Sequence, residues 1–311
     1  MTDLGITLPG TGRRRLWRAA ADRSANIVPV LTVAALVIAI WYLGAFILNS
    51  PQAIEQLNRQ GIASPTTSQV LTEAFGQRRP VLPTPDQVLV EIVTSSTERP
   101  VGNVRNLLTH AIATAQSTLA GFVLGTILGM TLAIGMAALR PLERGVLPWI
   151  VASQTVPILA IAPMVVVVLG NLGFTGLLPK AVISMYLCFF PVAIGMTKGL
   201  RSADPLHMDL MHSYDASPLQ VFLKLRLPTS LPYLFASLKV AIAAALVGAI
   251  VGELPTGGQA GLGTRLLAGS YYGQTTQIWA ALIAASVLSA LLVQAVALVE
   301  RIAIGRSGGV R

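Results

Sequence analysis

Six apolar runs of about twenty residues each decide what this chain can fold into. Crossing roughly 30 Å of hydrocarbon takes about 20 mostly apolar residues in a helix. The runs fall at 27–48, 111–139, 147–169, 178–196, 231–252 and 278–299. With 53% hydrophobic and only 11% charged residues, the composition lies outside the range of soluble domains. The apolar–polar alternation of a membrane barrel strand is missing, so helices must satisfy the backbone within the bilayer. The expected fold class is an all-α integral membrane protein with about six transmembrane helices. Residues 1–26 then form a basic tail, 27–48 the first transmembrane helix, and 49–109 a polar segment outside the membrane. Residues 110–302 form a core of five further helices, interrupted by a polar loop at 198–232, and 303–311 a second tail.

Arg13, Arg14, Arg15, Arg18 and Arg23 precede the first run, as in a signal peptide. The run is too long for that and ends in no small-residue cleavage site, so an uncleaved span is expected. Lys and Arg gather on the side that faces the cytoplasm. With the N-terminus inside, that side takes 15 of the 22, including Arg140, Arg144, Lys198, Arg201, Lys224 and Arg226. Both termini and the loop at 198–232 are therefore expected in the cytoplasm, and 49–109 in the periplasm. This topology accounts for the net charge of +9 without a nucleic-acid partner.

The outer segment contains Pro51, Pro65, Pro80, Pro83, Pro85 and Pro100, which predicts short helices and turns. Within it, Thr84 is the expected N-cap and Pro85 the first residue of a helix. In the second run Gly121, Gly125 and Gly129 share one helix face, a seam for another helix of the same chain. The third run carries Pro148, Pro157 and Pro163. Such prolines bend or break a helix, and broken helices line transport pathways. Gln154, Pro157, Pro163 and Met164 are thus candidates for a translocation wall.

Chemistry-bearing residues are sparse. Cys188, the single cysteine, reads as a packed core thiol. No phosphate-binding glycine loop is present, so ATP is not expected on this chain. His207 and His212 stand five apart and fall on different helix faces, so no metal site is expected. Lys239 and Glu253 lie near the two ends of the fifth run and read as interfacial anchors. So little charge within the spans argues against an ion-driven transporter.

The loop at 198–232 is the structured exception. Pro205 opens a helix running through Tyr214, and Asp215 occupies a turn, since Asp tolerates left-handed backbone. Ser217 as N-cap, Pro218 at the first position and Gln220 three residues after the cap make a capping box. The second helix is expected to end before Pro228. Two short helices joined by an elbow, with exposed Leu, Met and Tyr, suit a soluble partner.

This stretch resembles the cytoplasmic signature of ATP-binding-cassette importer permeases: Glu-Ala-Ala, three residues, Gly, nine residues, then Ile-x-Leu-Pro. Counting back from Leu227-Pro228, Asp209 stands at the Glu position, Leu210 and Met211 at the two Ala positions, and Asp215 at the Gly position. Leu210 and Met211 enlarge the docking face relative to that pattern. The segment 82–89, the run 157–163 and Gly261-Leu262-Gly263 are similar to the nitrate, sulfonate, taurine and pyrimidine-precursor group, so the resemblance covers roughly 82–301. It implies a permease in the bacterial inner membrane, present as a pair. Cytoplasmic ATPase subunits would carry ATP and Mg and dock on the loop, and a periplasmic binding protein would deliver the solute. The implied docking residues are Asp209, Leu210, Met211, Tyr214, Asp215, Ala216, Ser217 and Gln220. Little positive charge in the spans favours a neutral heterocycle, such as a pyrimidine derivative, over a sulfonate, taurine or nitrate. A secondary transporter and a receptor scaffold are the rival classes.

Overall fold

The computed structural model describes residues 11–62, 64–256 and 260–306, with side chains from Val28 to Gly305. The tail segments 1–10 and 307–311 lie outside these, as do the side chains of the five arginines at 13–23. The described chain is helical throughout and separates into two compact units, Met1–Val88 and Leu89–Arg311.

The first unit is built on α1 (Thr11–Arg59) and α2 (Thr67–Gly76) and ends in the first turn of α3 (Pro85–Thr97). Asn49 is fully buried and organises the segment that returns along α1. Its Oδ1 accepts from Val81 N at 2.8 Å and Leu82 N at 3.2 Å, and its Nδ2 donates to Leu82 O at 2.9 Å. Trp41 Nε1 donates to Pro83 O at 2.9 Å, and Ala53, Leu57, Val70 and Ala74 close a small apolar core. Pro85 opens α3 as expected, and Gln87 Oε1 accepts from Thr84 N at 3.1 Å.

The second unit contains α4 (Leu107–Ala138), α5 (Arg140–Ser153), α6 (Ile158–Asn171), α7 (Leu177–Leu200), α8 (Pro205–Ser213) and α9 (Pro218–Val221). A π turn, Phe222–Arg226, leads into α10 (Leu227–Glu253), followed by α11 (Leu262–Tyr271) and α12 (Thr275–Arg306). Helix α7 is central. Gly121, Gly125 and Gly129 let α4 lie against it: a Cβ at Gly125 would stand 2.8 Å from Cys188 Cβ, and one at Gly129 would stand 2.7 Å from Phe189 O. On its other side α7 meets α10, where a Cβ at Gly248 would lie 2.7 Å from Ser184 Cα. Cys188, Val192, Met196, Leu234, Ala241 and Ala245 fill the core between them. The glycine stripe is an internal seam.

Among the described residues five helices are long and apolar enough to cross a membrane, six if α5 and α6 count as one. The third run, where the prolines predict a bent or broken helix, is divided between α5 and α6, which meet at 98°. Pro157 lacks the N–H that would continue the first helix, and Gln154 to Val156 form the break. A correction concerns the loop. The helix from Ser217 does not end before Pro228 but continues into α10. The π turn accommodates the proline: Leu227 N reaches Phe222 O, one residue further back than in an α-helix, and Pro228 takes a first-turn position.

Candidate functional site

Helix α8 begins at an N-cap invisible to the pattern above, Asp204, whose Oδ1 accepts from Leu206 N at 2.8 Å. It ends in a Schellman motif. Asp215 sits at φ +50°, its N–H bonded to His212 O at 3.0 Å, while Ala216 N reaches back to Met211 O at 3.0 Å. These two bonds satisfy carbonyls that the end of a helix leaves free, and they require a left-handed residue between them. Glycine does this without strain, and Asp is among the few side chains that tolerate it. Ser217 then restarts the chain: Gln220 Oε1 accepts from Ser217 N at 2.9 Å and Ser217 Oγ from Gln220 N at 3.4 Å.

The elbow buries none of the side chains of α8. Leu206, Tyr214 and Leu219 are 74%, 78% and 65% exposed, and Asp209, Leu210, Asp215, Ser217 and Gln220 are also exposed. Met211 and Ala216 are half-buried. An apolar cavity of about 600 Å³ lies under the elbow, walled by Ile134, Ala137, Met208, His212, Phe222 and Arg226. The predicted docking residues thus share one protrusion. Its second limb is continuous with α10 over residues 218–253, so it stands on a rod of about 54 Å at 1.5 Å per residue.

At the far end of that rod lies a polar node. Glu253 is corrected from an interfacial anchor to a fully buried residue, because the chain after α10 folds back over it. Thr114 Oγ1 donates to Glu253 Oε1 at 2.7 Å and accepts from Leu262 N at 2.8 Å, and Gly263 N donates to Oε2 at 2.7 Å. A Cβ at Gly263 would fall on Ile250 O and 3.0 Å from Glu253 Cβ, which explains the second glycine of Gly261-Leu262-Gly263. His110, buried, places Nε2 2.8 Å from Val104 O and Nδ1 2.7 Å from Gly261 O and 3.0 Å from Gly261 N. Lys180 Nζ donates to Ala260 O at 3.3 Å. Lys239 is likewise no lone anchor: it pairs with Glu300 of α12 at 2.5 Å.

Beside the node Arg265, 6% exposed, donates from Nη1 to Arg105 O at 2.8 Å and pairs with Glu91 at 3.3 Å. Burial pulls this guanidinium below its ordinary pKa, and Glu91 works the other way. Arg265, Arg99, Arg105, Glu91 and Glu98 line a polar cavity of about 520 Å³. Of the pathway candidates, Gln154 and Pro157 flank the 98° break, while Pro163 and Met164 lie on α6 with Met164 exposed. Gln154 caps the end of α5, and Pro157 the start of the helix that carries Pro163 and Met164. Sequence reasoning missed the node because its members are far apart in the chain. The available signal was a carboxylate eight residues before a Gly-x-Gly.

Residues 105–304 match the family described as the binding-protein-dependent transport system inner membrane component. A probable ABC transporter permease of Haemophilus influenzae is 31% identical over 65% of this chain and 78% of its own length. A formylaminopyrimidine transport permease of Halalkalibacterium halodurans is 32% identical over 59% of this chain and 68% of its own. A riboflavin transport permease of Chloroflexus aurantiacus is 29% identical over 62% and 70%. Relatives at lower identity are named for aliphatic sulfonates and for nitrate.

Proposed function

We propose, from the premise that this chain belongs to the binding-protein-dependent transport system inner membrane components, that it imports a small nitrogen heterocycle built on a pyrimidine ring. The chain is the multi-pass permease subunit of an ABC importer. In our reading it sits in the bacterial inner membrane with both termini and the elbow in the cytoplasm. Two copies pair, each carrying an ATPase on its elbow, and a periplasmic binding protein delivers the solute at the opposite end.

The observation that carries the mechanism is the elbow itself. It presents exposed Leu206, Leu210, Tyr214 and Leu219 on a backbone locked by a Schellman motif and a capping box. A rigid apolar protrusion can be gripped and pushed, whereas a mobile loop would absorb the stroke. Because its second limb continues into α10, displacement by the ATPases is delivered along that helix to the node around Glu253. The bend at Gln154–Pro157 is the proposed hinge of the pathway wall, switching it between outward and inward access.

The heterocycle reading is supported by the printed names of the formylaminopyrimidine and riboflavin relatives, whose solutes share a pyrimidine ring. A second reading, a small anion, is favoured by Arg99, Arg105 and Arg265 around the polar cavity. Proteoliposomes containing the permease, its ATPase and its binding protein separate the two. ATP-dependent uptake of a labelled formylaminopyrimidine, unaffected by excess taurine or nitrate, is expected. Uptake of the anions alone would replace the first reading with the second, and uptake without ATPase would overturn both.

A further inference from the structure

At the elbow end of the helices, four arginines from three separate stretches of chain converge on one concavity. Arg140 and Arg144 come from the first turns of α5, Arg201 from the end of α7, and Arg226 from the end of the π turn. With Ala137 and Glu143 they line a cavity of about 420 Å³. Arg201 is already engaged: both its terminal nitrogens donate to Glu143, Nη2 to Oε2 at 2.7 Å, and Nη2 also reaches Met136 O at 3.1 Å. Among the described residues no carboxylate stands within salt-bridge distance of Arg140, Arg144 or Arg226, and the one acid that feels Arg144 and Arg140 through space is Glu143. Four positive charges against one negative leave an excess of three in a confined, polar space.

The backbone adds to that excess. Helix α5 runs for 14 residues with no side-chain cap, so the positive end of its dipole favours an anion there; Pro141 contributes no N–H, and Glu143 N already bonds Leu139 O at 3.2 Å. The surroundings indicate where the anion is attached. Leu139 and Leu142, on either side of Arg140 and Pro141, are 58% and 39% exposed, and the site lies where the apolar helices α4 and α7 end. A charged phosphate with hydrocarbon beside it has the chemistry of a lipid headgroup, and basic pockets between helices at a membrane boundary bind such groups.

We propose that Arg140, Arg144 and Arg226, held in place by the Arg201–Glu143 pair and the start of α5, bind the phosphate of an anionic phospholipid in the leaflet next to the elbow. The site is independent of the solute and of which solute is carried. Arg201 and Arg226 bracket the elbow in the chain, so an occupied site braces its base while the ATPases act on its tip.

The test is native mass spectrometry of the full chain, co-expressed with its ATPase, titrated with dioleoyl phosphatidylglycerol, dioleoyl phosphatidylcholine or inorganic phosphate. Phosphatidylglycerol is expected to bind in preference to phosphatidylcholine, and inorganic phosphate to compete poorly. Each arginine contributes roughly fivefold near a membrane surface, so replacing Arg140, Arg144 and Arg226 together by Gln weakens binding by on the order of a hundredfold. Replacing all three by Lys keeps the charge and most of the binding. Arg144→Gln alone, a change at an exposed position, provides a variant expected to fold normally and to bind about fivefold more weakly. Equal binding of the two lipids, or unchanged binding by the triple Gln variant, would overturn the proposal. Equal competition by inorganic phosphate would make it a free-anion site, and loss of the ATPase from the triple Gln variant while that variant still binds phosphatidylglycerol fully would make the arginines a protein contact. Either outcome rejects a lipid site.

Discussion

Replacing Glu253 by Ala tests the node at the end of α10, because the structure fixes what the loss leaves behind. Glu253 is fully buried and accepts from Thr114 Oγ1 and Gly263 N, each at 2.7 Å. Without it the Gly263 N–H faces no acceptor, and an unsatisfied buried donor costs about 1–3 kcal/mol. The Thr114 hydroxyl loses its acceptor as well, although it still accepts from Leu262 N. With the cavity left by the missing side chain, the sum is about 3–5 kcal/mol. For a unit of this size that lowers the melting temperature by on the order of 10 °C. Glu253→Gln keeps an acceptor for Gly263 and presents an amide N–H to the free lone pair on Thr114, so about 1–2 kcal/mol is expected. The chain supplies its own reporter: Cys188 is the single cysteine and is buried between α4 and α7. A fluorogenic thiol dye therefore reads unfolding in detergent during a thermal ramp. If Glu253→Ala melts within about 2 °C of the parent chain, the hydrogen-bonding argument for the node is refuted.

The same dye tests the seam beside Cys188: Gly125→Val drives carbon into Cys188 Cβ and Met185 O, costs about 1–3 kcal/mol or more, and should speed labelling at room temperature. Lys239→Met leaves Glu300 without its partner, and the double change to Met at both positions should recover much of the lost stability, a coupling of about 1–3 kcal/mol in a double-mutant cycle. Burial works to raise the Asp86 carboxyl, but hydrogen bonds, the Tyr42 hydroxyl among them at 2.9 Å, outweigh it and hold the group below its ordinary 3.8. Its folded value is thus depressed, so its contribution is complete above the unfolded value and fades as pH falls through the folded one; Asp86→Asn should flatten that acid limb of the melting profile below about pH 4. Asp215→Gly removes the strain of a left-handed side chain and should preserve elbow function.

The number and character of the spans were legible because a twenty-residue apolar run has few ways to satisfy its backbone in lipid. The elbow was legible because Pro205, Asp215, Ser217, Pro218 and Gln220 act locally, through capping and a single left-handed residue. What escaped the sequence was non-local. Pro228 signals a helix stop only if the preceding turn is α-helical, and widening that turn lets the elbow run into α10. The prolines of the third span allowed either a kink or a break, and their pattern alone did not choose the 98° bend. Glu253 and Lys239 looked like anchors because their partners, Thr114 and Glu300, lie 139 and 61 residues away. The arginines at 140, 144, 201 and 226 were counted for topology, and their convergence required the packing of α4, α7 and α10.

Co-purification of the ATPase with Asp215→Pro bears most directly on the central claim that the elbow couples this permease to ATP hydrolysis. Proline holds φ near −65°, so it cannot occupy a position at +50°, and it also removes the N–H that bonds His212 O. Expression, membrane insertion and thermal stability of the spans should be nearly unchanged, while the ATPase recovered with the permease falls to background. A variant that inserts normally and still carries its full complement of ATPase would contradict the account.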